Sequence, residues 1–198
     1  MPSELVEEFY GRLPTLTVDP LTGYLPKSEI ELSAALVRQN SRGRIRWSEV
    51  RFHASAVPGD EVQSSEAQVD VGSRYLRGIL CAESETFAEY PMSFSGSAEV
   101  NRWGGMRADA LILTDKSVVL IEAKVDNHFT YGDKAPDGQL SRQIEFLKRT
   151  GRMAALLLIC PEFNLEWYKK RLFDAFENSK AKVAVGLATW EDVFACAS

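Results

Sequence analysis

The chain has 198 residues, of which 45% are hydrophobic and 26% charged, the composition of an ordinary folded domain. Its net charge of −5 excludes a protein that coats nucleic acid through a general positive field. No apolar run approaches the ~18 residues that a membrane span needs, so no membrane partner is expected. The start, Met1-Pro2-Ser3-Glu4, lacks a signal peptide's basic region and apolar core. Cys81, Cys160 and Cys196 are odd in number and widely spaced, which fits reduced thiols. Both features imply a cytoplasmic protein. One domain over 1–198 is expected.

Residues 1–27 contain Pro14, Pro20 and Pro26 and read as an extended leader. A helix is expected over 28–39, where Ser28 and Glu31 have capping-box spacing and Ile30, Leu32, Leu36 and Val37 supply an apolar side. Residues 45–56, with Trp47, Val50 and Phe52, suit helix or strand. A Pro/Gly/Ser-rich loop spans 57–65. Residues 69–81 have helical spacing, but Gly72 and Gly78 weaken a helix. Strands are expected over 87–94, 107–113 and 118–125, with polar loops at 96–105 and 126–136. A helix over 139–149, a buried strand over 153–160 and an amphipathic helix over 165–178 follow. A last strand covers 182–188, and Thr189 caps a closing helix with Asp192 at the third position. This order predicts an α/β (α+β) fold, a mixed central sheet flanked by helices.

The hairpin of the second and third of these strands carries the chemistry. Asp109 begins one strand, and Glu122-Ala123-Lys124 ends the next, so antiparallel pairing brings them together. Side chains at i and i+2 share a face, so Glu122 and Lys124 point one way and Ala123 the other. Burying unpaired charge at strand ends is costly, so the cluster calls for a purpose. Two carboxylates beside an ammonium suit a hard divalent ion, Mg²⁺ or Mn²⁺, which takes one or two carboxylates and phosphate oxygens. The Ala123 carbonyl stays near that site although its side chain turns away. Lys124 would orient water or neutralise developing charge. The plain alternative is a surface ion pair of small energetic weight.

This arrangement resembles the active site of the PD-(D/E)xK nuclease superfamily, whose signature is an Asp on one strand and Glu-x-Lys at the end of the next. The resemblance covers roughly residues 87–190. It implies a restriction-endonuclease-like core, metal-dependent cleavage of phosphodiester bonds, and nucleic acid as partner, DNA ahead of RNA. It admits a homodimer. Ala108 stands where the family has Pro. The family often has a helix with Gln near its start, which Gln139 matches, and Tyr four residues later, where Gln143 stands instead. The family's first helix often supplies a Glu to the metal. Glu31 is the candidate here, with Glu29 beside it, although capping accounts for Glu31 equally well. Residues 40–84 would then be an insertion of this family's own. The implied catalytic set is Asp109, Glu122, Lys124 and Gln139, and the implied metal set is Asp109, Glu122, Ala123 and Glu31. The alternative within the fold is an inactive binding module.

DNA contact would fall to local basic clusters. Arg38, Arg42, Arg44, Arg46 and Arg51 form the first, with Trp47 among them as a possible base-stacking ring. Lys148, Arg149 and Arg152 form another, and Lys169, Lys170 and Arg171 a third. His53 and His128 have no neighbour at metal-ligand or nucleophile–base spacing.

Overall fold

A computed structural model describes residues 29–58, 66–91, 107–124, 138–179 and 183–197. The expected leader, the 96–105 loop with Trp103, and the 126–136 loop with His128 lie outside them. Helix α1 (Glu29–Ser41) opens the described chain, followed by β1 (Ala54–Ala56) and α2 (Glu66–Leu80). Strands β2 (Glu85–Pro91), β3 (Arg107–Leu113) and β4 (Ser117–Ala123) come next, then α3 (Gln139–Arg149) and β5 (Met153–Cys160). A 3-10 turn (Glu162–Asn164) leads into α4 (Leu165–Ser179), and β6 (Ala184–Thr189) and α5 (Trp190–Ala195) close the chain.

The six strands form one mixed sheet in the order β1-β6-β5-β4-β3-β2. The apolar runs explain why the middle strands lie inside. All seven residues of β4 and all six of β6 are buried, as parallel strands covered on both faces must be. β2, β3 and β4 form an antiparallel meander; β4, β5 and β6 are parallel, joined by the α3 and α4 crossovers. The carboxyl ends of β4, β5 and β6 therefore share one edge of the sheet. Two apolar layers cover it. Leu140, Ile144 and Leu147 of α3 and Tyr168 and Leu172 of α4 pack on Val118, Leu120 and Leu156. Leu32 and Leu36 of α1, Leu76 and Ile79 of α2 and Trp190 of α5 pack on Val119, Ile121 and Leu157.

Helix α2 forms through both of its glycines. A Cβ on Gly72 would run into the Ser55 side chain of β1, whereas Gly78 faces open space. Gly72 is thus where helix and strand touch closely, and packing outweighs its low helix propensity. Thr189 caps α5 as expected: its hydroxyl accepts from the Asp192 N–H at 3.1 Å. The base-stacking expectation for Trp47 fails. The ring is 2% exposed, and its indole N–H donates to Asn40 Oδ1 at 2.6 Å, closing the turn after α1. A ring that large gains more from the apolar layer than it could from solvent. Arg42, Arg44, Arg46 and Arg51 of the same segment are exposed. The three cysteines are free thiols. Among the described residues, no helix is long and apolar enough to cross a membrane.

Candidate active site

The hairpin register positions the cluster. The β3–β4 ladder pairs Leu111 with Leu120 and Ala110 with Ile121. Continuing it by one residue sets Asp109 opposite Glu122. At that point the Asp109 side chain engages the partner strand: Oδ2 accepts the Ala123 N–H at 2.6 Å. The carboxylate thus satisfies a backbone donor at the strand end and is tied to the Glu-x-Lys segment. Ala123 turns its methyl into the α1/α2 layer, while Glu122 and Lys124 continue the row of Val118 and Leu120 toward α3.

Glu122 is almost fully enclosed, with its side chain 1% exposed and that of Lys124 2% exposed. An ionised carboxylate in such a place requires donors. Three surround it. Lys124 Nζ lies 2.5 Å from Oε1. Gln139 Nε2 donates to the same oxygen at 2.6 Å. Gln143 Nε2 donates to Oε2. Gln139 and Gln143 are four residues apart and so share one face of α3. Gln143, which departs from the family's Tyr, therefore holds the second oxygen of the central carboxylate. Reading the position as a required donor rather than a required Tyr would have found it.

Lys124 is held at both ends. Its N–H donates to the Ile159 carbonyl of β5 at 2.8 Å. Its own carbonyl accepts the Trp190 indole N–H at 2.9 Å, which links the strand end to α5. The lysine stem is enclosed, and the ammonium position is set by the sheet rather than by solvent.

A hard cation finds few carboxylates here. No group of three or more His, Cys, Asp or Glu side chains converges among the described residues. Any ion here would rest on the Asp109 and Glu122 pair, completed by carbonyl oxygens and water, as Mg²⁺ permits. Carbonyl oxygens are at hand. Gln139 Oε1 and Gln143 Oε1 are both buried without a hydrogen-bond partner. Their identity as oxygens follows from Glu122, because turning either amide would press carbonyl against carboxylate. Buried acceptors left open beside the Glu122 carboxylate suit a hydrated Mg²⁺ or Mn²⁺. The side chains of Glu29 and Glu31 lie outside the described set; the first turn of α1 sits on the sheet face opposite Glu122.

Other candidates are placed apart. His53 Nε2 meets Asp192 Oδ2 at 2.6 Å, and Thr189 Oγ1 donates to the same oxygen at 2.6 Å. This joins the segment before β1 to the start of α5, a pairing invisible across 139 residues of sequence. Lys148 and Arg149 are spent largely on Glu145, whose carboxyl they hold below its ordinary range. Arg46 pairs with Glu49 at 3.4 Å. Burial pushes the Cys160 thiol up to about 12, so it is no nucleophile. No family model matches the chain, and no curated protein matches it.

Proposed function

We propose that this chain is a Mg²⁺- or Mn²⁺-dependent nuclease with a restriction-endonuclease-like core, hydrolysing phosphodiester bonds of DNA in the cytoplasm. The observation that carries the proposal is the convergence of Asp109, Glu122, Lys124 and Gln139 at one sheet edge. The succession of a helix, a three-stranded meander, a crossover helix and a parallel strand supports the fold assignment.

Asp109, Glu122 and the Ala123 carbonyl would hold the ion. Bound there, it would supply Lewis-acid polarisation of phosphate oxygens and acidify a bound water. The chain's own groups do the rest. Lys124 offers an ammonium fixed against the sheet, able to hydrogen-bond the attacking water and the scissile phosphate and to stabilise charge as it grows. Gln139 holds Glu122 at one oxygen, and its own amide oxygen is left without a hydrogen-bond partner. The enclosure of Lys124 and Glu122 keeps bulk water from screening these interactions. The exposed Arg42, Arg44 and Arg51 are the candidate contacts to the DNA backbone.

A second reading has one observation in its favour. Three donors already occupy the Glu122 carboxylate, so the cluster is also what a binding protein of this fold would keep as a structural network. The experiment that separates them incubates plasmid, linear and single-stranded DNA with the protein, with and without Mg²⁺ and Mn²⁺. Cleavage should need the cation and should vanish in Asp109→Asn and Lys124→Ala. Cleavage that survives Lys124→Ala would sink the nuclease reading, and DNA binding without cleavage would support the second one.

A further inference from the structure

One contact at the end of β4 has no origin in the sheet itself. The Lys124 N–H donates to the Ile159 carbonyl at 2.8 Å, as the parallel β4–β5 ladder requires one step past the pair Ala123 and Ile159. In that ladder the Lys124 carbonyl would next accept the N–H of the residue after Cys160. That residue is Pro161, which has no N–H. The carbonyl accepts the Trp190 indole N–H instead, at 2.9 Å, in a buried contact across 66 residues of sequence. From this we propose that Trp190 is a positioning residue for Lys124. It supplies the donor that Pro161 lacks, and so fixes the main chain from which the lysine ammonium reaches Glu122 and the scissile phosphate. The role rests on the nuclease reading for the reaction that the lysine serves.

The strand end needs such an anchor. Ala123 is the last residue of β4 and of its pairing with β5, and Lys124 stands one residue beyond. A buried carbonyl left without a donor is costly, so the chain would shift to find one. The Lys124 side chain hangs from that point, with its Nζ 2.5 Å from Glu122 Oε1. A small turn of the main chain moves the ammonium at the far end of its stem, and a misplacement of about 1 Å can cost 10²-fold in rate. Trp190 packs in the layer of Ala123 and Ile159, on the sheet face opposite Glu122. It therefore reaches the lysine through the main chain.

The tryptophan is itself held. Thr189 lies opposite Cys160 in the β5–β6 pairing, which sets Trp190 beside Pro161 at the same edge. Neighbouring strands lie ~4.8 Å apart, so the indole spans roughly 10 Å, from the end of β6 past β5 to β4. Its ring is stacked on Phe194 with centroids 5.5 Å apart. Helix α5, which carries both rings, is pinned at its start. The Thr189 hydroxyl donates to Asp192 Oδ2, and His53 Nε2 meets the same oxygen. The His53–Asp192 contact thus fixes the helix that fixes Lys124.

Wild type, Trp190→Phe and Trp190→Phe/Pro161→Ala are compared by amide hydrogen exchange and by steady-state cleavage of DNA in Mg²⁺. Trp190→Phe keeps a ring in the layer and removes the donor. Exchange of the Lys124 amide should speed up roughly 5- to 150-fold, the range for one buried carbonyl left without its donor, while the amides of α3 keep their protection. The kcat should fall roughly 10- to 100-fold with KM little changed. Pro161→Ala in the same chain puts a main-chain N–H back at the ladder position and should recover most of both losses. Gly72→Ala, strained in α2, should leave kcat unchanged, which separates positioning from a general loss of stability. Exchange or kcat indifferent to Trp190→Phe, or losses that Pro161→Ala leaves in place, would overturn the role. If Trp190→Phe alone does not fold, the double variant decides. A folded double variant with a protected Lys124 amide upholds the role, and an unfolded one overturns it. The two readings fail separately. Metal-dependent cleavage that ignores Trp190→Phe removes the positioning role alone. A Lys124 amide loosened by Trp190→Phe and restored by Pro161→Ala, in a protein that never cleaves DNA, removes the nuclease alone.

Discussion

Removing both members of the buried Glu122–Lys124 pair should cost less than the sum of removing each alone. The two side chains are 1% and 2% exposed, so neither charge can recover its hydration when the other is lost. Breaking such a pair by one substitution typically costs about 3–5 kcal/mol. Lys124→Met keeps the volume and leaves Glu122 with its two amide donors, which places it near the lower end. Glu122→Gln strands the ammonium and also turns an amide NH₂ against the NH₂ of Gln143 or Gln139, which places it near the upper end. The double variant has no buried charge and should recover about 2 kcal/mol or more of the summed cost, within the range seen for residues in contact. For a chain of this size, each single change would lower Tm by roughly 6–20 °C. Urea unfolding of the four proteins at one temperature gives the cycle directly, provided the slope stays constant. Additive costs, or a nearly neutral Lys124→Met, would refute the view that these charges are held in a closed, dry network.

Further outcomes follow from other contacts. Gly72→Ala should destabilise by about 1–3 kcal/mol through the clash with Ser55, while Gly78→Ala, in open space, should stabilise by up to ~1 kcal/mol; thermal melts compare them directly. Near pH 8 a thiol reagent should label exposed Cys81 in the native protein and spare Cys160, whose thiol sits near 12; mass mapping of the labelled peptides reads this. Gln143→Met, which keeps volume but removes the donor to Glu122, should cost about 1.5–3 kcal/mol, and Gln143→Glu should cost more because it sets acid against acid; denaturant midpoints rank the two. Thr189→Ala should cost about 1 kcal/mol as a lost N-cap, again by denaturation.

Local patterns were legible where the physics is local. β3, α3 and β5 fall on the residues expected because their apolar periods run unbroken between clear stops. Asp109 and Glu122 could be matched because a hairpin fixes its register within thirteen residues of chain, and the ladder runs as that register requires. Helix α2 was obscured by Gly72, whose reason lies on β1, outside any local window. Trp47, a ring among arginines, looks exposed in sequence until α1 and its turn close over it. The link of His53 to Asp192 exists only once β1 has joined β6. Gln143 differs in kind. Its position was in view, four residues after Gln139 and on the same helix face. By letters alone, a Gln where the resemblance implies Tyr is a departure. Matching chemistry asks instead what a buried carboxylate needs on its second oxygen, and any donor of the right reach will serve. A glutamine at that place answers the need without the phenol. The cluster is therefore better tested by its demand for donors around Glu122 than by its agreement with a motif.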